Sequence, residues 1–155
     1  VSRWQEGKKT KGETIMAVIT GKKMNIQIDG TGGTLVDLTG YANKVDLGFP
    51  TDMLDTTVFG SSSKSFIPGF DGGDDVVINF RYDPTPEAHL ASIRPSNYSS
   101  SVTVQVSPEG TTTGNAKKVV EAFLKDYKLS AAPESIDEIV ATFQKTGAVT
   151  HTTWA

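Results

Sequence analysis

Four stretches of the chain alternate apolar and polar residues with a period of two, and this repeat narrows the range of possible folds sharply. The clearest is residues 75–83, DVVINFRYD: Val76, Ile78, Phe80 and Tyr82 fall on one side, and Val77, Asn79, Arg81 and Asp83 on the other. Residues 23–29, KMNIQID, set Met24, Ile26 and Ile28 against Lys23, Asn25, Gln27 and Asp29. Residues 101–107 set Val102, Val104 and Val106 against Thr103, Gln105 and Ser107. Residues 136–147 set Ile139, Ala141 and Phe143 against Val140, Thr142 and Gln144. Side chains point to opposite faces of a strand in turn, so each stretch reads as a strand with one dry and one wet face. A chain of 155 residues fits one domain and is long enough to bury a core of this kind. Fifteen glycines fit strands joined by turns, and DGTGG at 29–33 is the plainest turn.

One short helix is expected among the strands, in TPEAHLASI at 85–93. Thr85 can cap it, Pro86 suits its first turn, Glu87 favours its positive end, and Leu90 and Ile93 share a face before Pro95. Residues 117–129 fit two readings. Val119, Val120, Phe123, Leu124 and Tyr127 recur at helical spacing, whereas neither face of a strand there would be clean. Residues 41–49, YANKVDLGF, read as a further strand stopped by Pro50. The expected division is an N-terminal arm at 1–14, a β domain at 15–150 and a C-terminal tail at 151–155.

Residues 54–70, LDTTVFGSSSKSFIPGF, fit none of these elements. They hold Phe59 and Phe66 in a bed of Ser, Thr and Gly, too polar for a core strand and too aromatic for a plain linker. Long loops without regular structure are uncommon unless functional, and two phenylalanines held in water are a liability in a monomer.

Chemistry finds little support in the residues. There is no cysteine, hence no disulfide framework or thiolate, and the two histidines, His89 and His151, belong to no zinc-binding pattern. GKKTKGET at 7–14 has phosphate-loop glycine spacing but puts Glu13 where the lysine belongs, and GTGG at 30–33 has Leu35 in place of the third glycine of a dinucleotide loop. Asp71, Asp74 and Asp75 have oxygens suited to a calcium ion, but acids around a Gly pair are better read as a hairpin turn. No nucleophile elbow is present, no stacking platform for nucleic acid is visible, and Asn97 heads only a formal glycosylation sequon. The reading is therefore not an enzyme, with no cofactor and no metal. No apolar run reaches membrane-span length, and IMAVI at 15–19 is shorter than a signal segment needs, so the chain reads as soluble.

The net charge of -3 conceals an asymmetry. Residues 1–23 carry six bases against two acids, whereas residues 46–87 carry eight acids against Lys64 and Arg81. A basic arm and an acidic body in one chain suggest that one copy's end meets another's, in a contact that weakens with salt.

DTTVFGSSSKSFIPGF followed by FRYDPTPEAHLASI resembles the major tail tube proteins of long-tailed bacteriophages. That family carries an Asp-x-Thr-x-aromatic-Gly segment and a Lys-x-aromatic-x-Pro-Gly close, matched here by Asp55, Thr57, Phe59, Gly60, Lys64, Phe66, Pro68 and Gly69. A strand ending in Tyr82 and Asp83, a short helix and a last strand at ATFQKTG follow in the same order. The resemblance runs in element order from about residue 23 to 147. It implies a mainly β subunit, a β-sandwich or open barrel with one flanking helix, and it favours strand for 117–129. It further implies hexameric rings with a shared inner β-barrel, stacked into a virion tail tube that conducts DNA without binding it specifically. The partners implied are further copies of the chain and tape-measure and tail terminator proteins, with assembly in the host cytoplasm.

On this reading Phe59, Phe66 and Ile67 lie on the adjacent ring, and Trp4, Lys8, Lys9, Lys11 and Trp154 make contacts from the two termini. An acidic body suits a lumen that lets phosphates slide past. Two other readings stay open at this level: the inner tube of a contractile injection system, which would need a sheath, and a monomeric carbohydrate-binding β-sandwich.

Overall fold

The structure, a computed structural model, describes residues 21–71 and 75–155. After a 3-10 turn at Gly21–Lys23 come β1 (Asn25–Asp29), β2 (Leu35–Asp37), β3 (Ala42–Asp46), β4 (Thr51–Asp55), β5 (Phe66–Asp71) and β6 (Asp75–Arg81). Helix α1 (Pro84–Ser92), β7 (Val102–Ser107), β8 (Ala116–Ser130), β9 (Glu138–Lys145) and β10 (Thr150–Thr153) complete the described residues. The main sheet runs β2-β1-β7-β8-β9-β6-β3, with β10 also on β8, whereas β4 and β5 pair only with each other. Among the described residues the fold is mainly β with one α-helix, as expected, and its sheets are open.

The four alternating stretches are β1, β6, β7 and β9, and their apolar sets form the core. Ile26, Ile28, Val76, Ile78, Phe80, Val102, Val104, Val106, Ile139, Ala141 and Phe143 are all buried. Strand β8 joins the two halves of the sheet. It pairs with β7 through Lys118–Ala122 and with β9 through Ala122–Ser130, while β10 continues β9's side along Ala116–Val119. The segment from Leu35 to Asp46 visits both margins, since β2 pairs with β1 and β3 with β6. Leu38, between them, is fully buried in the core and donates its N–H to the Ile26 carbonyl at 3.0 Å.

Residues 117–129 are strand, and a bulge explains why their pattern looks helical. Leu124 pairs with Phe143 and Asp126 with Thr142, so Lys125 is an extra residue that reverses the alternation. Val120, Ala122 and Leu124 are buried before it, and Tyr127 packs against the core after it. The resulting spacing mixes steps of two and three and mimics a helical stripe.

Helix α1 starts two residues earlier than expected and its cap is Asp83, not Thr85. Asp83 is extended (φ -153°, ψ 143°) and its carboxylate accepts the Thr85 N–H at 2.9 Å. Pro84 then occupies the first helical position, where a missing N–H costs nothing. Leu90 and Ile93 are buried together against the sheet, as their spacing predicts.

The chain's end is not a loose tail. Thr150–Thr153 form β10, and Trp154 donates from Nε1 to the buried Ser107 Oγ at 3.0 Å while Lys117 lies 4.5 Å over its ring. The boundary expected at 150/151 falls inside this strand. The arm at 1–14, with Trp4, Lys8, Lys9 and Lys11, lies outside the described residues, as does Asp74.

Candidate functional site

The stretch from Thr51 to Asp71 is a two-stranded hairpin, not an irregular loop. Met53 faces Pro68, Leu54 faces Ile67 and Asp55 faces Phe66. Strand propensity was masked by Pro68, which is tolerated because this ribbon is an edge on both sides. Near the turn, the Asp55 carboxylate accepts the Thr57 N–H at 2.8 Å, and the side-chain and backbone donors of Thr57 hold its pKa below the usual carboxylate range. Thr57 Oγ1 accepts the Ser65 N–H at 2.9 Å, and the Thr56 N–H reaches the Ser65 carbonyl at 2.9 Å. Gly60 takes a positive φ of 89° at the tip. A Cβ at Gly69 would lie 3.3 Å from the Asp52 carbonyl oxygen on the facing strand. Asp55, Thr57, Gly60, Pro68 and Gly69 thus shape the ribbon, and Lys64 stands exposed beside its turn.

Nothing among the described residues covers the ribbon. Every residue of β4 and β5 is exposed, Phe59 is fully exposed at the tip, and Phe66 and Ile67 are half exposed. Met53, Leu54, Val58 and Phe70 are exposed as well, and the sequence reading did not single them out. Their signal was an apolar excess spread evenly over both faces of one ribbon, which no single-face pattern detects. The root is held firmly: His151 meets the Phe49 ring edge-on at 4.9 Å, and Lys145 and Lys118 lie 5.8 and 6.0 Å from its centre. Lys145, itself buried, donates to the Gly48 carbonyl.

Both legs of the hairpin leave one end of a four-stranded sheet, β8-β9-β6-β3, at Asp46 and Asp75. This sheet has two free margins among the described residues. Strand β3 pairs on one side only, and β8 is unpaired on its β7 side beyond Ala122. Along that β8 margin lies a groove of about 850 Å³, lined by Phe123, Tyr127, Leu129 and the turn Arg94–Ser96. The guanidinium of Arg94 lies 5.8 Å from the Tyr127 ring centre.

The face of this sheet turned away from the core carries charges in rows. Lys128, Val140, Asn79 and Lys44 are paired in succession, and so are Asp126, Thr142, Val77 and Asp46. With Arg81, Glu138, Lys125 and Asp75 on the same face, acids and bases balance four to four. Lys44 sits 3.5 Å from Asp46, and Lys125 3.1 Å from Asp75. Of the eight acids in residues 46–87 only Asp46 and Asp75 are among these, and five others go elsewhere. Asp52, Asp55 and Asp71 lie on the hairpin, Asp83 caps α1, and Glu87 accepts the Tyr82 hydroxyl at 2.7 Å.

Among the described residues no three His, Asp or Glu side chains gather as a metal site would need. His89 is packed beside Gly30 and contacts the Asp29 carbonyl through Nε2 at 3.1 Å, a structural position.

No family model matches the chain, and no curated protein matches it in sequence. Solved structures do. A chain in the tail of an empty GTA particle with C6 symmetry aligns over 88% of this chain and 100% of its own, with a TM-score of 0.70 and 13% identity. A chain of the sheath-tube complex of an extracellular contractile injection system, PVC, in its extended state aligns over 90% and 94%, at 0.64 and 14%. The SPP1 tail tube aligns over 88% and 80%, at 0.63 and 12%. Identities this low speak for backbone architecture alone, and in its architecture this chain has the fold of these tail and tube proteins.

Proposed function

We propose that the chain is the structural subunit of a virion tail tube, closing side by side into rings that stack through the β4–β5 hairpin. The observation that carries this reading is the hairpin itself: a ribbon, apolar on both faces, that the other described residues leave bare. Such a surface in a water-soluble protein is an interface awaiting its partner. The likeness of fold to proteins of tails and tubes supports the same reading.

Lateral closure uses the two free margins. A β3 strand of one copy beside the open half of β8 in the next would continue the four-stranded sheet around a ring and remove both exposed edges. Six copies per ring are proposed, with the charged face of this sheet lining the lumen. DNA then meets rows of alternating sign with no net charge, so it is neither held nor strongly repelled. Terminator and tape-measure proteins would bind the polymer's ends and lumen, with assembly in the host cytoplasm. The protein acts without catalysis on this reading.

A glycan-binding monomer would keep its exposed aromatics on a sheet face, whereas here Phe59, Phe66 and Phe70 lie on the ribbon. The inner tube of a contractile system shares the fold, and co-sedimentation with a sheath protein would select it. Electron microscopy of the purified protein at high concentration tests the main reading. Hollow filaments of stacked rings are expected; dispersed monomers at every concentration would overturn it.

A further inference from the structure

We propose that the hairpin of one copy docks on the opposite end of the four-stranded sheet of a second copy, at Tyr82, Leu129 and Ile136. This rests on the tube reading above and names the acceptor that reading needs. The pairing of Arg81 with Glu138 and of Glu138 with Ser130 fixes one end of the sheet, and the Tyr82 N–H reaches the Asp137 carbonyl there at 2.9 Å. The hairpin legs depart from the other end, at Asp46 and Asp75. Donor and acceptor thus sit at opposite ends of strands that run between them, the arrangement that a head-to-tail stack requires.

The distribution of exposed apolar side chains singles out these two ends. Thirteen large apolar residues are exposed among the described residues; seven lie on the hairpin, and Tyr82, Leu129 and Ile136 lie at the far end, 41%, 51% and 65% exposed. Three phenylalanines of the hairpin alone present roughly 500 Å². With its aliphatic residues the ribbon approaches the roughly 800 Å² per partner of a specific interface. Charges agree in sign: the tip from Thr56 to Ser65 carries one charge, Lys64, and Ile136 lies between Glu134 and Asp137. The contact joins two different patches of one chain, so each copy added presents a fresh hairpin and stacking continues without closure.

The absence of native cysteine makes cross-linking unambiguous. Ser61→Cys, which keeps the Phe59 ring at the exposed tip, and Ile136→Cys proteins, mixed and oxidised under polymerising conditions, are expected to give a disulfide-linked dimer many-fold above a control pairing of Ser61→Cys with Val36→Cys. A Leu129→Lys, Ile136→Lys variant is expected to remain folded and lose stacking. Stacking of that variant at the wild-type level, or cross-linking to position 36 in preference to 136, overturns the acceptor while leaving the tube reading intact. Failure of the wild-type chain to polymerise sinks the tube reading instead. If the double-lysine variant misfolds, the cysteine pair alone decides.

Discussion

Replacing Phe59 by Ala separates assembly from folding. The ring is fully exposed at the hairpin tip, and the nearest backbone hydrogen bonds, Ser61 to Val58 and Thr56 to Ser65, do not involve it. Truncation should therefore leave subunit stability within about 0.5 kcal/mol of wild type, as for other surface changes. In a stack the same ring moves from water into an apolar contact, worth about 2 kcal/mol. That corresponds to about a 30-fold weaker contact for each copy. Six copies acting together in one ring-on-ring joint would lose about 12 kcal/mol, enough to abolish filaments at concentrations where wild type is fully polymerised. Sedimentation and negative-stain microscopy read the polymer, and urea denaturation of the soluble fraction reads the fold. Filaments at the wild-type concentration would refute the stacking role, and a large fall in the urea midpoint would show that Phe59 belongs to a core contact.

Three further perturbations probe the frame that holds the hairpin. Asp83→Ala removes the carboxylate that caps α1 and should cost about 1 kcal/mol in urea unfolding, with Asp83→Asn retaining most of it. Burial pushes the His89 pKa below its ordinary value, so both folded and unfolded chains carry it neutral above that value and it contributes no slope there. Below it the unfolded chain takes up the proton first, so stability falls with pH until the folded value is reached; unfolding compared at pH 7.5 and 5 should show a drop that His89→Gln reduces, and equal drops would refute the assignment. Trp154→Ala strands the buried Ser107 hydroxyl and frees Lys117, and a loss of about 2–3 kcal/mol is expected by denaturation, whereas no change would mean the C-terminus is dispensable to the fold.

The strands were legible wherever one face meets the core and the other does not. In β1, β6, β7 and β9 the buried residues are the alternating ones, because pleat geometry alone dictates them. Strand β8 was not legible by period because one inserted residue, Lys125, reverses the alternation midway. The hairpin escaped for the opposite reason: with no core beneath it, neither face of β4 or β5 has cause to be polar, and no alternation can arise. Its motif residues Asp55, Thr57 and Gly60 answer to local turn geometry, which sequence encodes directly. A string of acids says nothing about which surface each will reach. Five of the eight acids at 46–87 serve the ribbon, a helix cap and a tyrosine hydroxyl, and the sheet face is balanced.

Both outer strands of the four-stranded sheet carry a bulge, at Asn43 in β3 and at Lys125 in β8. An extra residue bends and over-twists the strand that holds it. The four-stranded sheet therefore offers no straight, flat margin for indiscriminate zippering, which guards a free subunit against aggregation through these edges. The same two irregularities act as teeth when margins meet: a neighbour slipped by one residue would set its bulge against a regular stretch and turn its side chains to the wrong face. In the proposed tube, lateral joining would then be keyed to one register. The bend would repeat at every joint, so the local geometry of two inserted residues would become the gauge of the bore.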